Sequence, residues 1–435
     1  MITWLISVSS GLQAQKSVQK EDSPGGWQKE WKQVDSLAEN GLPKSALEIV
    51  DRIHASAKSS GDNPRFIRAV IYKIKLNSTF REEFMTGTIH ELDSEILQAR
   101  EPMKQILQSI LAEVLSKYYS NNQYRFSRRT QLAGVIPDSL QTWDLNTITR
   151  AIYHNYLASL RNDQLLKTTP IDEYKEILEI PGQEPDRKNS PVKQPEIAIV
   201  LRPTLYDFLA NRALGFFTSP EAPTTQSASF RMDDPSCFAQ TPEFVSFPLP
   251  SEDSLSPVLQ AIRIYRDLAS FHLKDKSPAA LIDVELQRFK FVKEKAAVIS
   301  RDSIYLDALV KFETAFSGSP WSTDIAFTKA SFYQSTGEEN PTDPAHRADL
   351  KKALQTCESA IKRFPGSEGA TNCAILAKTI KNPFLQIRNE IAVVPGKPSL
   401  ALISYGNTET VFLRLFLLDE GAWDAKKDKL KKEEL

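Results

Sequence analysis

The chain has 435 residues, 41% of them hydrophobic and 25% charged, which is enough for about two to four domains and a substantial core. Its 54 Lys and Arg nearly cancel its 55 Asp and Glu. The long-range positive field that gathers proteins on nucleic acid or anionic lipid is therefore missing, and neither is expected as a partner. No stretch is long and apolar enough to span a bilayer, and three cysteines (Cys237, Cys357 and Cys373) are too few for a disulfide-built scaffold.

Residues 1–15 hold a short apolar run, Ile2 to Val8, followed by Leu12-Gln13-Ala14-Gln15. The pattern predicts a clipped export signal cut after Ala14, although the basic n-region is missing; an ordinary terminal segment is the alternative. No cysteine follows that could carry a lipid.

Residues 24–166 read as an N-terminal helical domain. Ala46, Val50, Ile53 and Ala57 form one helical stripe, and Pro43 stands where a first-turn proline is tolerated. Phe66, Ala69, Val70 and Ile74 make a second stripe, and Ile106, Ile110, Leu111, Val114, Leu115 and Tyr118 a third. Links such as Ser59 to Pro64 are short, so antiparallel helical hairpins are expected.

Residues 167–255 are rich in linkers. Two proline-heavy stretches, 168–193 and 219–256, are long for connectors and read as extended crossings or flexible linkers, with a short helix between them near 203–216. Helical pairs resume in 256–382. There the stripes run Leu259, Ile262, Tyr265, Leu268, Ala269, His272; then Ile282, Leu286, Phe289, Val292, Ala296; then Tyr305, Leu309, Phe312. Residues 353–367, closed by Pro365-Gly366, and the helix that follows resemble a tetratricopeptide (TPR) hairpin. Three clean copies at a period of about 34 are not found. After Asn382-Pro383 the period changes to two: Leu385 to Val393, Leu400 to Tyr405 and Val411 to Leu418 read as three β runs within 383–420, ahead of a charged tail at 421–435. The fold class expected is mainly α, as irregular TPR-like, α-solenoid-like hairpins, with a short C-terminal β segment that looks like an incomplete β-sandwich.

Three passages carry a family resemblance: Trp31 to Leu37 with Gly41 to Leu47; Arg202-Pro203-Thr204-Leu205-Tyr206-Asp207-Phe208-Leu209; and Val394 to Pro398 with Tyr405-Gly406-Asn407. Together the chain resembles the helical N-terminal region and the start of the first macroglobulin domain of large bacterial alpha-2-macroglobulin-like proteins. The resemblance implies a periplasmic or cell-envelope location and a role within a peptidase inhibitor. It also implies a protein partner: either the macroglobulin domains missing from this chain or a peptidase or envelope protein. The family's thioester needs Cys-x-Glu-Gln, whereas Cys237 is followed by Phe238, Ala239 and Gln240, so the trapping chemistry is not expected here.

Tested for other chemistry, the five histidines form no catalytic motif. His54 and His272 sit on or beside apolar stripes, and His90, His154 and His346 lie in polar or turn settings. No phosphate loop or metal cluster appears, so no catalytic, cofactor or metal residue is predicted. Asp233-Asp234 reads as a solvated loop. Arg125-Phe126-Ser127-Arg128-Arg129 reads as a solvated segment with snorkelling arginines, and Tyr206 and Phe208 read as core.

Cys357 and Cys373 are the one candidate pair, a possible disulfide. They lie eight and seven residues from Pro365-Gly366 on apolar stripes, so they are expected to face each other, either bridged or as two buried thiols. The leading function is a non-catalytic scaffold or interaction segment of an exported inhibitor, without its bait and thioester regions. The alternative is a free-standing TPR-like protein of the cell envelope that binds a peptide or protein.

Overall fold

Short polar breaks set the first helices of the computed structural model, which describes residues 24–80, 84–129, 140–177, 194–224, 230–250, 255–340, 343–390, 394 and 396–413. Helix α1 (Pro24–Glu39) turns through Asn40-Gly41 into α2 (Pro43–Ser60). Gly61 ends α2 at φ 71°, in the left-handed region that a Cβ disfavours, with its N–H on the Ala57 carbonyl. Asp62 then caps α3 (Asn63–Asn77), its side chain accepting the Arg65 N–H at 3.1 Å. The expected stripe Ala46, Val50, Ile53 and Ala57 is wholly buried. Most of it joins Trp31, Val34, Ala69, Tyr72 and Leu76 in one core cluster.

Helices α4 (Phe84–Gln98) and α5 (Met103–Asn121) follow. Helix α5 is buried nearly all round, because it packs on α3, on α4 and on α7 (Leu145–Ala158). Between α5 and α7, the short α6 (Gln123–Ser127) buries Phe126 and lays Arg128 over the Tyr124 ring, 4.1 Å from its centroid. Arg129 donates to the Trp143 carbonyl at 2.6 Å. The basic-aromatic run of the sequence thus uses its aromatic ring as core and its arginines as cover.

After α8 (Asp163–Thr168) and α9 (Gln194–Leu201), Thr204 opens α10 (Leu205–Phe217) with a reciprocal capping box to Asp207. The entry is tied down by the Leu205 N–H on the Thr169 carbonyl and the Ile171 N–H on the Pro203 carbonyl, both 2.9 Å. The segment 230–250, which includes α11 (Thr241–Val245), is irregular yet packed: Met232, Cys237, Phe238 and Phe244 are buried. It packs against α12 (Pro257–His272), α13 (Ala279–Lys295) and α14 (Arg301–Ala315).

One stripe is displaced. The periodicity of α13 places Leu286 inward, but Leu286 is only half-buried, while Glu285 and Arg288 are fully buried together with Phe289 and Val292. Apolar counting cannot find a charged pair that satisfies itself in the core.

The chain divides into two compact units. The first runs to Lys329, in the first half of α15 (Ser322–Glu339), and takes in residues 367–369. In this unit Gly369 lies against the backbone of Thr323, where a Cβ would fall 2.3 Å from the carbonyl carbon. The second holds the remainder of α15, α16 (Asp349–Arg363), α17 (Glu368–Lys381) from Ala370 onward, and the strands β1 (Phe384–Asn389) and β2 (Ala401–Gly406).

The strands pair antiparallel, with Leu385 opposite Tyr405 and Ile387 opposite Ile403. Of the turn expected at Pro395 to Pro398, Pro395 lies outside the described residues; Gly396 takes φ 77° and the Lys397 N–H meets the Val394 carbonyl. The third β run is not formed over its described part, for Val411, Phe412 and Leu413 lie outside any strand; residues 414–418 of that run, the tail at 421–435 and the signal-like residues 1–15 fall outside the described residues. The described residues make a mainly helical protein of seventeen α-helices with one two-stranded sheet near the C-terminus.

Candidate functional site

The sequence places His272 at the last position of α12 and Asp207 in the first turn of α10, and the packing of these two helices brings them together. His272 Nε2 lies 2.7 Å from Asp207 Oδ1, and its Nδ1 lies 2.7 Å from Asp275 Oδ2. The second Asp207 oxygen accepts the Thr204 N–H at 2.9 Å and the Thr204 hydroxyl at 2.7 Å. Burial is the largest influence on the imidazole and works against its charge, but the hydrogen bonds and charges of Asp207 and then Asp275 outweigh it and raise the pKa above 6.5. The end of a helix also favours a cation there.

A histidine between two carboxylates has the outline of an acid-base site, but this one is arranged for something else. A general base needs a ring nitrogen free to meet a substrate proton. Here both nitrogens face carboxylates and the side chain is fully buried. The geometry makes an imidazolium clasp that locks the start of α10 to the end of α12.

A second constellation is centred on Arg288. It pairs with Glu285 one turn earlier, both side chains at 0% exposure. Its Nη1 donates to the Cys237 carbonyl at 2.6 Å and its Nη2 to the Ala239 carbonyl at 2.8 Å. The guanidinium lies 3.9 Å from the Phe244 ring centroid and 4.4 Å from that of Phe289. One side chain thus supplies donors and a cation face to a segment without regular structure of its own, which explains how 230–250 is held without forming a sheet or a long helix. Cys237 lies buried beneath it. Burial, then Asp234, pushes its thiol up to about 11, the opposite of a nucleophile's environment. The neighbouring Asp233 and Asp234 are exposed, and Asp234 accepts the Ser236 N–H at 2.8 Å.

The remaining histidines do not converge. His90 and His154 are exposed, and His346 bonds to Asp349 at 2.7 Å. His54 packs at a tilt against Phe66 with ring centroids 4.6 Å apart. It borders a cavity with Lys73, Asn77, Thr88, Glu91 and Glu95 whose volume of about 10 Å³ has room for a single water at most. Among the described residues no three His, Cys, Asp or Glu side chains are grouped to hold a metal, and no helix is long and apolar enough to cross a membrane.

In the second unit Cys357 and Cys373 are both fully buried. Hydrogen bonding from Cys373 draws the Cys357 thiol down, against burial and Glu358. The two sulfurs carry no bridge in this structure. Beyond them, β1 is exposed at all six residues. Leu385, Ile387, Ile403 and Tyr405 share one face of the sheet by register, and Leu385, Ile387 and Tyr405 are 52%, 46% and 56% exposed. Asn407 anchors this hairpin, its side-chain amide donating to the Ile380 and Asn382 carbonyls at 2.6 and 3.0 Å, at the end of α17.

Compared with family models, with curated proteins and with solved structures, the chain finds no match.

Proposed function

We propose that the chain is a non-catalytic scaffold and interaction segment of an exported, alpha-2-macroglobulin-like peptidase inhibitor, acting in the periplasm or cell envelope. The observation that carries this reading is the two-stranded sheet, whose apolar face is open among the described residues. An isolated pair of strands is marginal in water and gains stability when further strands complete a sandwich. Apolar side chains half-exposed on one face fit strands that belong to a larger β domain; the other face is mixed, with Phe384 opposite Gly406, Gln386 opposite Ser404 and Arg388 opposite Leu402. The helical part supports the same reading, because its two polar constellations both serve to hold elements together. The partner is a protein: macroglobulin domains continuing from this sheet, or a peptidase or envelope protein. Neither nucleic acid nor a cofactor enters the reading.

The test is to read the coding sequence past Leu435 and to express this chain with whatever follows in frame. A β-rich continuation that slows amide exchange in Phe384–Asn389 and Ala401–Gly406 supports the proposal. A stop codon with no β-rich sequence downstream favours instead the free-standing TPR-like protein, for which the small-residue hairpin of α16 and α17 is the relevant feature.

A further inference from the structure

We propose that Cys357 and Cys373 are a disulfide-forming pair, oxidised by thiol exchange with a small disulfide or a disulfide-donating protein, and that the bridge fastens α16 to α17. The inference rests on the hairpin's geometry alone and stands whether or not the chain belongs to an exported inhibitor.

Helices usually pack with their axes about 8–10 Å apart, whereas a disulfide needs its Cα atoms within about 4.4–6.8 Å. A bridge across two helices therefore requires a contact lined by small side chains. Besides the cysteines, the buried residues of α16 are Asp349, Ala353 and Ala360 and those of α17 beyond Gly369 are Ala370, Leu376 and Ala377, four of these six being alanine. The turn Phe364 to Ser367 is short, and Gly366 adopts φ 86° within it, so the two cysteines arrive at nearly equal height. Both cysteines are fully buried, and Cys373 is near enough to act on the Cys357 thiol as a hydrogen-bond partner. Cys237 offers the contrast: it lies in the first unit, under Arg288, with its backbone carbonyl engaged.

The chemistry balances as an ordinary exchange. The Cys357 thiolate attacks one sulfur of the donor disulfide, forming a mixed disulfide and expelling the first donor thiolate, which takes up the proton Cys357 gave to solvent. The Cys373 thiol then loses its proton, attacks the Cys357 sulfur, and releases the second donor thiol. Two cysteine thiols lose two electrons and two protons, and one donor disulfide becomes two thiols. Because both sulfurs are buried, attack needs local opening of the hairpin, so rates follow opening while the equilibrium reports the geometry.

The experiment measures that equilibrium with glutathione as the probe. The full chain is equilibrated from the reduced and from the oxidised side in buffers of graded glutathione ratio, once in native buffer and once in denaturant. Free thiols are then alkylated and the tryptic peptides 353–362 and 364–378 are followed by mass spectrometry without reduction. The denaturant arm is essential, because chain proximity alone already favours a short loop. The expected result is an equilibrium constant for the Cys357–Cys373 bridge at least on the order of tenfold higher in native buffer than in denaturant, with Cys237 remaining a thiol. A native constant equal to or lower than the denatured one overturns the proposal, as does a native population dominated by glutathione adducts or by a pairing with Cys237. The Cys357→Ser variant should leave Cys373 either reduced or glutathionylated, with no internal bridge and unchanged helical circular dichroism.

Discussion

Arg288 and Glu285, one helical turn apart on α13, form an ion pair in which neither side chain reaches solvent. Such a pair contributes little net stability against an apolar replacement of both partners, but breaking it by removing one leaves a charge buried alone, at a cost of about 3–5 kcal/mol. Arg288→Met strands Glu285 and also removes the donors from the Cys237 and Ala239 carbonyls. The expected outcome is a loss of that size in denaturant unfolding, with Cys237 becoming reactive to a thiol reagent before global unfolding. The double variant Glu285→Leu/Arg288→Met should recover part of the loss in a double-mutant comparison. A single variant as stable as the parent would remove Arg288 from its role as the anchor of 230–250.

His272 gives the protein a pH dependence whose sign follows from the clasp. Its folded pKa is raised, so the folded state holds the proton more tightly than the unfolded chain. Stability from this source is fully present below the ordinary value of about 6.5 and is lost as pH rises through the folded value. The thermal midpoint of the parent minus that of His272→Gln should be largest at pH 5.5 and shrink through neutral pH and above. A difference that stays flat from pH 5.5 to 9 would contradict an imidazolium.

Asp324, near the start of α15, works in the other direction. Burial, followed by the charge of Glu368, raises its carboxyl to about 7, and its Oδ2 is buried without a hydrogen-bond partner among the described residues. An acid whose folded pKa lies above its unfolded value holds its proton more tightly when folded, so this contribution to stability declines as pH rises from about 4 to about 7 and does not return. Asp324→Asn keeps the shape and removes the charging, so it should raise the thermal midpoint by several degrees at pH 8, by clearly less at pH 5 and hardly at all below pH 4. Stabilisation equal at both pH values would show that charge is not the cause.

The C-terminal strands should be the part of the chain that aggregates. Their edges and the apolar face of Leu385, Ile387 and Tyr405 are open among the described residues, and exposed edges invite pairing with other chains. Removing residues 382–435 should improve solubility, measured by light scattering at increasing concentration, and leave helical circular dichroism per helical residue nearly unchanged. The end of α17 should fray, because Asn407 no longer supplies its amide to the Ile380 carbonyl. Global loss of helix on this deletion would show instead that the sheet is integral to the second unit.

Some of this was legible from residues alone, for reasons that are local. The helices and their buried stripes follow from a 3.6-residue period that each segment carries in itself, as with Ala46 to Ala57 or Ile106 to Tyr118. The hairpin breaks at Gly61 and Gly366 follow from the one residue type that takes a left-handed backbone freely. Thr204 three residues before Asp207 is a cap signal visible in the text of the sequence. The eight- and seven-residue separations of Cys357 and Cys373 from Pro365-Gly366 are likewise a local feature, and they set the expectation that the two meet once the chain reverses there. The tertiary structure alone decided the rest, because those interactions join residues whose separation along the chain carries no signal. Asp207 and His272 are 65 positions apart, and nothing in either segment marks the other; only the packing of α10 on α12 makes a clasp of them. Glu285 and Arg288 have the spacing of an ordinary surface pair, and they become a core anchor only when 230–250 folds over them and presents its carbonyls. The sheet shows the same limit from the other side: alternation identifies strands, but whether a run such as Val411 to Leu418 pairs depends on a neighbour, and a strand's hydrogen bonds, unlike a helix's, are never supplied by its own segment.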